Sequence, residues 1–168
     1  MLKIVTNMRD LNFGELMELY REGNEENGAY KYPQLSAAEQ LVQAKQDFYQ
    51  YLAQCFFCVE GAVYALWEEN GRYLSGLRLE PYKDGLLLEA LETAPDHRRQ
   101  GYACKLMGSV QSWLSGHGAI KVYSHVDRKN APSQRCHQNC GFTKILDYAV
   151  YIDGSVFSSS DTYLFEVK

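Results

Sequence analysis

The sequence predicts a mixed α/β fold in which helices alternate with antiparallel hairpins, and three patterns carry that expectation. Two β-rich runs flank Asn70-Gly71 in "VYALWEENGRYLSGLRLEP", the strongest short-range hairpin signal. Strand candidates at Leu86–Thr93 and Ala119–Val126 enclose a helical pattern that starts after Gly101, so the pair forms a βαβ unit with parallel strands and a right-handed crossover. Helical spacings with capping signals fill much of the N-terminal third. With 168 residues, one domain spanning positions 1–168 is long enough to bury a core of its own.

Taken in order, Lys3–Thr6 reads as a first strand. Asn12 can cap a helix carrying Phe13, Leu16, Met17, Leu19 and Tyr20 at helical spacing. Glu22–Pro33 is polar and punctuated by Gly and Pro, so a loop is expected. Ser36–Glu39 is a capping box opening a helix that carries Leu41, Ala44, Phe48, Leu52 and Cys55 and runs to about Phe57. The hairpin around Asn70-Gly71 follows, and "YKDG" makes the next turn. Pro95 cannot donate to a ladder, so the Leu86–Thr93 strand stops before it. Ala103, Leu106, Met107, Val110, Trp113 and Leu114 mark one helix face, and Gly116–Gly118 ends that helix. Asn130–Ser133 starts a short helix with Pro132 in its first turn, and Gly141 suits a left-handed cap. Lys144–Phe157 reads as a strand turning at Asp153-Gly154, and Thr162–Val167 as the last strand.

The bulk numbers exclude several roles. A net charge of −4 argues against a nucleic-acid binder, which would carry a basic face. The longest apolar run, Ala62–Trp67, is too short to span a bilayer, and the start lacks the apolar core of a secretion signal, so a cytoplasmic protein without membrane contact is expected. An odd number of cysteines is a poor disulfide framework. Cys55, Cys58, Cys136 and His137 can be read as a zinc site from their spacing; the preferred reading buries Cys55 and Cys58 as small hydrophobes and expects no metal.

The stretch "LETAPDHRRQGYACKLM" (Leu91–Met107) carries the chemistry. Free N–H groups at a helix start attract anions, and the helix dipole adds to the attraction. Arg98 and Arg99 stand beside this start, Gly101 has no Cβ to block a bulky anion, and Ala103 is small. Positive charge at a helix N-terminus is unfavourable unless something negative binds there, so a phosphate or pyrophosphate site is expected.

"RRQGYA" (Arg98–Ala103) resembles the Arg/Gln-x-x-Gly-x-Gly/Ala signature of the GNAT superfamily of N-acetyltransferases. Pro95 before it, Asn130 after the fifth strand and Gly141-Phe142 after the short helix agree with that family. The resemblance implies a mixed, mostly antiparallel twisted sheet of six to seven strands with four helices on both faces, and a splayed parallel pair, Leu86–Thr93 and Ala119–Val126. It implies acetyl-CoA as co-substrate. The amides around Arg98, Arg99, Gln100, Gly101, Tyr102 and Ala103 would cradle its pyrophosphate, Leu91, Glu92 and Thr93 would pair with its pantetheine arm, and Asn130 and Ser133 would line that arm. It further implies direct attack by a primary amine within a ternary complex, in a monomer or homodimer.

An alkyl ammonium must lose a proton before it attacks, and the departing thiolate must gain one. The candidate bases are His125, Glu89 and Glu92, with Glu92 on the opposite strand face. His137 stands where the family commonly has a tyrosine acid, so His137 is the candidate donor, with Tyr148 and Tyr151 as alternative hydroxyls. Tyr20, Tyr30, Tyr32, Phe48, Tyr49 and Tyr151 are candidates to line the acceptor pocket, and Glu22, Glu25 and Glu26 to attract a cationic acceptor. The alternative function is a non-catalytic acyl-CoA-binding regulatory module.

Overall fold

The computed structural model describes residues 1–116 and 121–167. In chain order they form β1 (Leu2–Val5), helices α1 (Phe13–Leu19), α2 (Arg21–Lys31) and α3 (Ala37–Gln54), strands β2 (Val63–Glu69), β3 (Arg72–Tyr82) and β4 (Gly85–Thr93), helix α4 (Tyr102–Ser115), strand β5 (Lys121–Asp127), helix α5 (Ala131–Asn139), and strands β6 (Thr143–Leu146), β7 (Ala149–Val150), β8 (Val156–Phe157) and β9 (Ser160–Glu166). The main sheet has seven strands in the order β1-β2-β3-β4-β5-β9-β6, and β7 and β8 form a separate hairpin. Within the main sheet every neighbouring pair is antiparallel except β4–β5.

Strand alternation gives the sheet two apolar faces. Leu77, Leu79, Leu88, Val122 and Val126 pack with Leu106, Met107, Val110 and Leu114 of α4. Tyr64 and Leu66 meet Leu16, Leu19, Leu52 and Phe56 from the α1–α3 side. Each fully buried Leu of this kind contributes about 1.5–3 kcal/mol. Local signals set the turns between these elements. Asn70 and Gly71 both take positive φ, joining Glu69 to Arg72. Asn12 caps α1, and both halves of the Ser36–Glu39 capping box are made. Asn130 caps α5, with Pro132 in its first turn.

The segment expected as a loop at Glu22–Pro33 is instead mostly helix α2. Its polarity conceals a narrow seam: only Asn24 and Gly28 are buried. A Cβ on Gly28 would sit 2.7 Å from the backbone oxygen of Gln40, so α2 and α3 touch backbone to backbone there. This fifth helix adds to the four expected. Gly28→Val is therefore expected to cost about 1–3 kcal/mol by overpacking, read as a lower Tm; an unchanged Tm would contradict this contact.

Two further expectations are corrected. Helix α3 stops at Gln54 instead of Phe57, because a 3-10 turn at Phe56–Cys58 swings Phe56 into the core. That turn leaves Cys55 and Cys58 exposed, not buried as small hydrophobes. The run Lys144–Phe157 is not one strand. The carbonyls of Asp147 and Tyr148 accept from the side chains of Arg128 and Thr162, which interrupts the extended run between β6 and β7. Gly116 caps α4 as expected, while the rest of Gly116–Gly118 and the start of the strand expected from Ala119 lie outside the described residues.

Candidate active site

The parallel pair separates where the sequence places the reaction. β4 and β5 are paired only from Gly85 to Leu88 and from Lys121 to Ser124. Beyond Leu88, β4 bulges against β3: Gly76 faces Glu92 and Arg78 faces Glu89, so β4 carries one extra residue. Ala90, at φ 51°, is in that bulge. A cavity of about 180 Å³ fills the gap, lined by Leu88–Leu91 of β4, Ser124–Asp127 of β5, and Asn130, Ser133 and His137. A second cavity of about 340 Å³ lies between α2, α3 and the sheet, lined by Tyr20, Asn24, Asn27, Asp47, Phe48, Tyr51 and Arg78 among others. Ala90 lines both cavities. Its carbonyl accepts a 2.6 Å hydrogen bond from the Tyr20 hydroxyl, which fixes the wall between them.

At the far end of β4, the chain turns through Pro95–His97 and enters α4. Arg99 and Gly101 both take left-handed conformations, φ 61° and 83°. Gly101 is the N-cap and offers no side chain to the amides behind it, and a Cβ placed there would meet nothing within 4 Å. The amides of Tyr102 and Ala103 therefore open onto a free approach at the positive end of a 14-residue helix. Gln100 folds back onto the Asp96 carbonyl. Arg98 is engaged: its guanidinium donates to Glu22 at 2.6 Å and to Glu92 at 3.4 Å. Glu92 also accepts from the Thr93 amide, so it serves as the anchor of this turn and not as a free base. The β4 edge from Glu89 through Leu91 to Thr93 has no β5 partner and is open for strand-like pairing.

Glu89 points to the α3 side, 3.7 Å from Arg78. Burial pushes its carboxyl pKa above the ordinary value, against the pull of Arg78. Arg78 itself stacks on Tyr51 and Phe56, at 5.0 and 5.6 Å from their ring centroids. His125 lies on the same sheet face. Its Nε2–H donates to the Val150 carbonyl at 3.0 Å, tying β7 to β5, and its Nδ1 lies 3.1 Å from the Thr162 hydroxyl of β9. Tyr151 stacks on it at 4.9 Å.

His137 is 1 % exposed. Its Nδ1–H donates to the Ser133 carbonyl at 2.8 Å, and its Nε2 accepts from the Ser124 hydroxyl at 2.8 Å. Burial lowers its pKa, so the ring is neutral and both nitrogens are in use. It backs Ser124 in the gap and has no spare proton of its own. Ser124 was missed from the sequence; the signal was a polar residue between Val122 and Val126 on the apolar face of a strand. Asn130 accepts from the Ser133 amide through Oδ1, leaving its NH2 to face the cavity it lines.

Of the aromatics expected around the acceptor, Tyr20 and Phe48 line the larger cavity. Tyr30 and Tyr49 are exposed, and Tyr32 binds Asp47 at 2.6 Å. Asp47, Tyr51 and Arg78 join the lining instead. Glu22 is held by Arg98, and Glu25 and Glu26 are exposed on α2.

The buried imidazoles set a pH dependence of stability. Desolvation lowers the folded-state pKa of both His125 and His137. Below about pH 6.5, the ordinary histidine value, the unfolded chain takes up protons that the folded rings refuse, so stability falls as pH drops. The Tm is expected to fall between pH 7.5 and 5.5, with a shallower slope in His137→Gln. Parallel slopes would refute the neutral assignment.

Comparison with known proteins identifies the family and supports the fold. A model of the acetyltransferase (GNAT) family matches residues 15–142. Aminoglycoside N(6')-acetyltransferase type 1 of Serratia marcescens is 35% identical over 88 residues, which cover 51% of this chain and 58% of that protein. The chain thus aligns with little more than half the length of this curated relative. The PaiA N-acetyltransferase of Thermoplasma acidophilum, solved with coenzyme A, superposes with a TM-score of 0.63 at 12% identity, covering 98% of each chain. The ribosomal-protein-S18-alanine N-acetyltransferase of Escherichia coli superposes at 0.61 and 17% identity, over 100% of this chain and 95% of its own.

Proposed function

The chain belongs to the GNAT acetyltransferase family, and from that premise we propose that it moves an acetyl group from acetyl-CoA to a primary amine held in the larger cavity. The observation that carries the proposal is the pair of cavities meeting at Ala90. One is bounded by the open β4 edge and the other by acceptor groups, so a thioester and an amine can meet at the bulge. The fit to coenzyme A rests on the uncapped α4 start, the open approach over Gly101 and the unpaired edge at Leu91–Thr93. The thioester supplies an activated acetyl group. All other work falls to the chain.

The amides of residues 99–103 hold the diphosphate, and Asn130 and Ser133 line the arm. Backbone N–H at the bulge polarises the carbonyl under attack. Glu89, made more basic by burial than an ordinary carboxylate, takes the proton from the ammonium. Ser124, whose hydroxyl is held by His137, lines the gap where the sulfur departs, and the thiolate takes up the second proton that the attacking nitrogen sheds as the amide forms. His125 positions the hairpin that carries Tyr151 over the acceptor side.

Asn24, Asn27 and Asp47 offer the acceptor cavity oxygens for ammonium and hydroxyl groups. A cationic polar amine suits them, and the aminoglycoside substrates named for the Serratia relative belong first in a test panel. Among the described residues no helix is long and apolar enough to cross a membrane, and a cytoplasmic enzyme working at the acetyl-CoA pool is the reading we favour. Incubation with acetyl-CoA and a panel of aminoglycosides, polyamines, amino acids and peptides is expected to release CoA and give an acetylated product by mass spectrometry. Tight CoA binding with no product across the panel would favour the regulatory module instead.

A further inference from the structure

Three sulfurs converge between α4 and α5, apart from both cavities. Cys104 lies in the first turn of α4. Cys136 and Cys140 stand four positions apart on α5 and its cap, a spacing that puts both side chains on one face. The Sγ atoms of all three lie within 4.8 Å of one another. Cys104 and Cys136 are 2.7 Å apart, and the Met107 thioether is 3.8 Å from Cys136. All three thiols are free and partly accessible. Spacing alone groups Cys136 with His137, Cys55 and Cys58 as a possible zinc set, which the sequence reading sets aside. The fold separates them: Cys55 and Cys58 are exposed after α3, and both nitrogens of His137 are occupied. The partner that completes the group, Cys104, is distant in sequence.

We propose that Cys104, Cys136 and Cys140 form a binding site for a soft, thiophilic d10 cation, zinc(II) in the first instance, held by three thiolates with a fourth position open to water. Sulfur is the preferred donor for such ions, and zinc takes it at about 2.3 Å in a tetrahedral shell. That shell spaces its sulfurs by about 3.7 Å. The 4.8 Å envelope accommodates it once Cys104 and Cys136 rotate apart by about 1 Å. Binding releases three thiol protons to solvent as three metal–sulfur bonds form, with no change of oxidation state. The bound ion would clamp α4, whose first turn carries the open amides, to α5, whose first turn borders the gap between β4 and β5. This site is independent of the acyl-transfer reading.

The test uses the full chain, reduced and metal-free, titrated anaerobically with cadmium(II). One equivalent is expected to bind with an ultraviolet thiolate-to-cadmium charge-transfer band. Zinc(II) should displace it, raise the Tm, and shield three of the five cysteines from a thiol reagent. Cys104→Ser and Cys140→Ser should each abolish the band, and the Cys55→Ser/Cys58→Ser double variant should keep it. If a serine variant fails to fold, thiol shielding in the unaltered chain decides alone. The proposal is overturned if the reduced chain binds no equivalent. It is equally overturned if Cys55 and Cys58 are the residues shielded, or if mass spectrometry finds a Cys104–Cys136 disulfide that zinc does not compete with.

Discussion

Gly101→Glu is expected to weaken acetyl-CoA binding by about 100-fold or more, equivalent to about 2.7 kcal/mol. Two effects act together. At φ 83° the position is left-handed, which costs an L side chain about 1–2 kcal/mol. The new carboxylate also occupies the open approach to the α4 amides, where it competes for the helix dipole and repels the diphosphate. Gly101→Asn is the control for both, because Asn tolerates the left-handed region and adds no charge; it should lose less than tenfold. Calorimetric titration of both variants with CoA reads the difference. A glutamate variant that binds within twofold of the parent would remove the anion cradle from the account.

Glu89→Gln should lower kcat by about 10²–10⁴-fold, the usual weight of a general base, with little change in the KM for acetyl-CoA. The amide keeps the shape and loses the ability to take a proton. The pH profile gives the more specific readout. Glu89 must be ionised to act, and burial holds its pKa above the ordinary carboxylate value. The parent kcat should therefore climb with pH through that raised pKa and then level, and the Gln variant should lose the climb. Ser124→Ala should lower kcat yet keep it. If the climb survives in Glu89→Gln and disappears in His125→Gln, the imidazole is the base and Glu89 is only the counter-ion of Arg78.

The fold was legible wherever the signal was local. Asn70-Gly71, the Ser36–Glu39 box, Asn12 and Asn130 each satisfy backbone groups within a few residues, so their patterns survive folding unchanged. Gly101 belongs with them as the left-handed N-cap of α4. Helix α2 was not legible because its seam is two small buried residues in a polar segment, and only contact with Gln40 of α3 gives Gly28 its meaning. The site divides the same way. Glu89 and His125 could be named from strand position, but not that His125 is turned toward the Val150 carbonyl and the Thr162 hydroxyl. Ser124 behind His137, and Cys104 beside Cys136, are pairings across elements, and no spacing within the chain announces them.

The most direct measurement is a crystal structure of the chain with CoA bound. The diphosphate is expected within hydrogen-bonding reach of the amides at Gly101–Ala103, with the arm running along Leu91–Thr93 into the gap beside Ser124. A diphosphate bound elsewhere, or those amides closed off by the protein itself, would contradict that placement.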